Sequence, residues 1–67
     1  MNESLAILEK LLQAHDWYFD YSDDYSVWKK GMTERSAINM EQKRLVNDGL
    51  ATVEEVQELA KKYAPKT

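Results

Sequence analysis

The chain has 67 residues, 31% of them charged, a net charge of −3 and no cysteine. That length supports one small domain with a limited core, and the missing cysteines exclude disulfide or thiolate–metal staples. Apolar runs of only a few residues exclude a membrane span, and two glycines with one proline are too few for a turn-rich β fold.

The start "MNESLAILEKLLQAH" lacks the basic leader and long apolar run of a signal segment. With the absence of cysteine, this gives the expectation of a cytoplasmic protein. Charge is unevenly spread. Residues 1–28 hold six acids and one base, and residues 29–67 hold six acids and eight bases. Phosphate backbones call for clustered Lys and Arg. This chain offers only the pairs Lys29–Lys30, Lys43–Arg44 and Lys61–Lys62, so nucleic acid is not the expected partner.

The first element is a helix. Leu5, Leu8 and Leu12 recur at helical spacing, with Ile7 and Leu11 beside them. Asn2 or Ser4 can cap it, Glu3 suits the positive end of the dipole, and it should end near Ala14 or His15.

The stretch "HDWYFDYSDDYSVWKKG", residues 15–31, follows. Ile7, Leu11, Ala14, Tyr18, Tyr21, Tyr25, Trp28 and Met32 alternate by four and three, the spacing of a heptad seam. A helix running through residues 5–30 would set this aromatic seam opposite a ladder of Asp16, Asp20 and Asp23. Local chemistry points instead to a bend near Asp20–Ser22, with Ser22 as N-cap of a second helix over residues 22–30. Repulsion at Asp16–Asp20 and Asp20–Asp24 adds to that preference.

A third helix is expected over residues 33–48, capped by Thr33 and stopped by Gly49. Its apolar face of Ala37, Ile38, Met40, Leu45 and Val46 is modest. The last helix spans residues 53–64. Thr52 and Glu55 form a capping box, and Val53, Val56, Leu59, Ala60 and Tyr63 share a face. Lys61 and Lys62 suit its C-terminal end, and Pro65 stops it.

His15, Asp16, Trp17, Tyr18, Tyr21, Ser22, Asp23, Asp24, Trp28 and Gly31 carry a resemblance. The run is similar to a His-Asp-Trp-Tyr, Tyr-Ser-Asp-Asp, Trp, Gly motif of small uncharacterised bacterial and bacteriophage proteins. It covers about a quarter of the chain. That group has no established activity, so the resemblance implies a phage or prophage accessory protein and no mechanism.

The expected fold is all-α, a small bundle of three to four helices over residues 1–64 with a tail at 65–67. The N-terminal helix, the aromatic second helix and the last helix are expected to share an aromatic-rich core. Each feature has a plain reading beside a functional one. The aromatics are core or binding face, since Tyr and Trp dominate interaction hot spots. The aspartates are a solvated face, a recognition surface or a cation site, although "DYSDDYS" lacks the glycine and terminal glutamate of an EF-hand loop. His15 has no cysteine or GxSxG context for catalysis, and no glycine-rich phosphate loop exists. No enzyme activity, cofactor or metal is therefore expected.

The expected function is a protein-interaction module, homo-oligomeric or with a protein partner. It would present Asp16, Trp17, Asp20, Tyr21, Asp23, Asp24 and Trp28. The alternatives are a metal- or ligand-binding accessory domain using His15 with the aspartates, and a DNA mimic whose carboxylates imitate phosphates.

Overall fold

The computed structural model describes residues 3–65. It is all-helical, with no strand among the described residues. A single 3₁₀ turn, Glu3–Leu5, leads into α1 (Ala6–Ala14). A strap follows over residues 15–24, containing a second 3₁₀ turn at Phe19–Tyr21. Then come α2 (Tyr25–Asn47) and α3 (Val53–Tyr63). The molecule is elongated, 39 × 22 × 15 Å. At 1.5 Å per residue, α2 alone accounts for most of the long dimension.

Two apolar stripes compete on α1. The structure buries Leu5, Leu8 and Leu12 and leaves Ile7 exposed and Leu11 half-buried. The leucine stripe wins because it meets Ile38 and Leu45 of α2, Ala51, and Val56 and Leu59 of α3 in one cluster. Leu8, Leu12 and Leu45 are almost wholly removed from water, worth about 2 kcal/mol each. The core is thus aliphatic. The expected aromatic-rich core is not found, because burying the seam would strand tyrosine hydroxyls away from water.

Polar contacts lock α3 onto α1. The Tyr63 hydroxyl donates to Glu9 at 2.9 Å and accepts from Gln13 Nε2 at 3.0 Å. The capping box of α3 is formed as its sequence demands: Glu55 N–H donates to Thr52 Oγ1 at 3.1 Å, and Thr52 N–H to Glu55 Oε1 at 3.0 Å. The expected glycine stop also stands. Gly49 has φ +71°, and the bonds Gly49 N–H to Val46 O and Leu50 N–H to Leu45 O complete a Schellman ending.

The middle of the chain departs from expectation. α1 ends at Ala14 and His15 is already extended, so no helix runs through residues 5–30. The break lasts until Asp24, whose carboxylate accepts from Ser26 N–H at 2.8 Å. Asp24, not Ser22, is therefore the N-cap of α2, while Ser22 Oγ accepts from Asp24 N–H at 3.1 Å. The expected second and third helices are one. α2 passes through Gly31, and the Thr33 hydroxyl donates back to Lys29 O at 3.0 Å instead of capping. At the other end, α1 starts from Leu5 with no side-chain cap bond, and Asn2 lies outside the described residues. So do Lys66 and Thr67 of the expected tail.

Candidate functional site

The strap explains why the aromatic stretch reads so ambiguously. Along residues 15–20 burial alternates: His15, Trp17 and Phe19 turn inward, and Asp16, Tyr18 and Asp20 turn out. The inward three dock on a short span of α2. Phe19 lies directly on the bare backbone of Gly31. Trp17 packs against the core with the Arg35 guanidinium 5.4 Å from its ring centroid. His15 is buried with Nδ1 3.0 Å from Glu34 Oε1. A carboxylate can only accept, so Nδ1 donates. The other ring nitrogen, Nε2, is buried with no hydrogen-bond partner. His15 also packs against Trp17, centroids 4.9 Å apart, and Phe19, 5.4 Å.

The outward face is apolar and acidic together. Tyr21 is 81% exposed, Tyr25 69%, Tyr18 61% and Trp28 40%. The rings pair loosely, Tyr18 with Tyr21 at 6.2 Å and Tyr25 with Trp28 at 6.1 Å. Met32, one turn beyond Trp28, is exposed as well. Large apolar side chains gathered at one end of so small a protein are unusual unless something covers them.

The four aspartates divide by role. Asp16 accepts from Tyr18 N–H at 3.0 Å and Asp24 caps α2. These two shape the strap. Asp20 and Asp23 are exposed and join no hydrogen bond or ion pair found among the described residues. Of the seven residues singled out from sequence, the structure brings Asp20, Tyr21, Asp23 and Trp28 to the open face. It spends Asp16 and Asp24 on local turns and half-buries Trp17. Sequence reasoning missed Tyr18, Tyr25 and Met32 as exposed groups. The alternation H-D-W-Y-F-D was the available signal for Tyr18.

The grouping of His15 with the aspartates does not form. His15 is enclosed against Glu34 while Asp20 and Asp23 face solvent. Among the described residues no set of three or more His, Cys, Asp or Glu could hold a metal ion. No described helix is long and apolar enough to cross a membrane. Of the paired bases weighed for nucleic acid, Arg44 is engaged by Glu41 at 2.7 Å and Asp48 at 3.8 Å.

No family model, curated protein or solved structure matches this chain.

Proposed function

We propose that this chain is a non-enzymatic protein-interaction module acting through the outer face of the strap and the start of α2, in the cytoplasm. One observation carries the reading: Tyr18, Tyr21, Tyr25 and Trp28 remain exposed beside Asp20 and Asp23, which make no internal bond. Aromatic residues supply contact area at low entropic cost, and unpaired carboxylates set orientation and on-rate with a basic partner. The inward face of the strap supports this reading physically. Phe19, Trp17 and His15 pin the segment from behind, so the outward residues are presented on a fixed frame.

The test is capture of a partner from host lysate by the wild type and by the triple variant Asp20→Asn, Tyr21→Ala, Asp23→Asn. These positions hold no structural bond, so the variant should melt with the wild type. A partner retained by the wild type and lost by the variant supports the reading. Equal retention by both sinks it.

A further inference from the structure

A second surface, at the far end of the molecule, has the opposite character. Between the C-terminal half of α2 and the face of α3 runs an open groove of about 630 Å³. Its floor is Val46, Val53, Val56 and Ala60, and Lys43 and Lys61 stand on its rim. The other lining residues are amides: Gln42, Asn47 and Gln57. No acid lines it. Val53 is half exposed, Val46 and Ala60 are partly buried and Val56 belongs to the core, so the apolar surface that the groove leaves uncovered centres on Val53. Lys43 and Lys61 are exposed and take part in no ion pair found among the described residues.

We propose that this groove receives the strap of a second copy of the chain, with Tyr21 on the valine floor and Asp20 and Asp23 against Lys43 and Lys61. The inference rests on the interaction reading of the strap and names its partner. Charge complementarity carries it. One end of the chain leaves two carboxylates unpaired beside exposed aromatic rings. The other leaves two ammonium groups unpaired beside an apolar floor exposed at Val53. The two surfaces cannot meet within one copy. Tyr25 and Val46 lie 21 residues apart on one straight helix, a separation of about 30 Å. Copies must therefore join strap to groove, either reciprocally as an antiparallel two-fold pair or head to tail in larger rings and filaments.

The test is sedimentation velocity over rising protein concentration at low and high salt. The wild type should grow in mass with concentration and revert towards monomer in high salt. The groove variant Lys43→Glu, Lys61→Glu should stay monomeric, as should the strap variant Asp20→Asn, Tyr21→Ala, Asp23→Asn. Mixed in equal amounts, the two should form a 1:1 dimer and nothing larger, because only one intact contact remains. Circular dichroism and melting temperature confirm that each variant is folded. A wild type that stays monomeric at millimolar concentration overturns the proposal, while the strap's capture of a different protein would still stand. Loss of assembly in the strap variant alone also overturns it, since the strap would then dock elsewhere on the second copy.

Discussion

Phe19 and Tyr21 are two residues apart, yet one is buried and the other is the most exposed of the large apolar side chains. Truncating them should separate structure from surface. Phe19→Ala removes the ring that covers Gly31 and should cost about 3 kcal/mol in urea denaturation. Tyr21→Ala should change stability by less than about 0.5 kcal/mol. Equal effects would mean that Phe19 and Tyr21 do not differ in burial as described. Gly31 provides the converse test. In an open helix Gly→Ala stabilises by about 1 kcal/mol. Here an added Cβ would overlap Cβ as well as ring atoms of Phe19, so the strap itself must move. The expected result is net destabilisation of about 1–3 kcal/mol. In a Phe19→Ala background the overlap with the ring goes while that with the Cβ of residue 19 stays, so the penalty should shrink, a non-additivity that a double-mutant cycle measures directly.

Elements whose signals are local were legible in the sequence. The capping box at Thr52 and Glu55, the Gly49 ending and the limit of α1 at Ala14 all follow from neighbours a few residues away. What was not legible depends on distant contacts. Gly31 looks like punctuation between two helices, but it sits inside α2 because Phe19 needs bare backbone there. The heptad spacing through the strap is a coincidence of composition, and it hid the period-two alternation that positions His15, Trp17 and Phe19. Two predictions belong at this scale. Thr52→Ala should cost about 1 kcal/mol by freeing the first turn of α3. On α2, Arg44 forms a paired hydrogen bond with Glu41, at 2.9 and 2.7 Å. That bond holds the Glu41 carboxyl below its ordinary value of 4.5. A carboxyl depressed in the folded state adds stability above its unfolded value, and loses it as pH falls through the folded one. The melting-temperature gap between wild type and Glu41→Gln should therefore be present at neutral pH and close as the solution is acidified below about 4.5. Screening at this exposed arginine keeps the gap small. A gap independent of pH would show that the pair does not form in solution.

At the scale of the whole molecule, stability is unevenly placed. The aliphatic cluster joins α1, α3 and the part of α2 that carries Ile38 and Leu45. Residues 25–34 of α2 contribute no side chain to it, and the strap packs on them through Phe19 on Gly31 and His15 on Glu34. Segments with few buried apolar contacts open locally at lower free energy than the core. Hydrogen exchange should accordingly show two levels. Amides near residues 26–33 and in the 3₁₀ turn Phe19–Tyr21 should exchange together and faster than those around Leu45 and Val56. Phe19→Ala should accelerate the first group and spare the second. Uniform protection along α2 would contradict this division. The same division bears on function, because the exposed aromatic face lies wholly on the less stable unit. Anything that covers that face binds only its closed form, so it must slow exchange there in proportion to its occupancy. Protection gained around residues 19–33 on adding a partner, or on raising the protein's own concentration, would place the contact on the strap without any substitution. Protection gained only around Val53 and Val56 would place it at the groove alone.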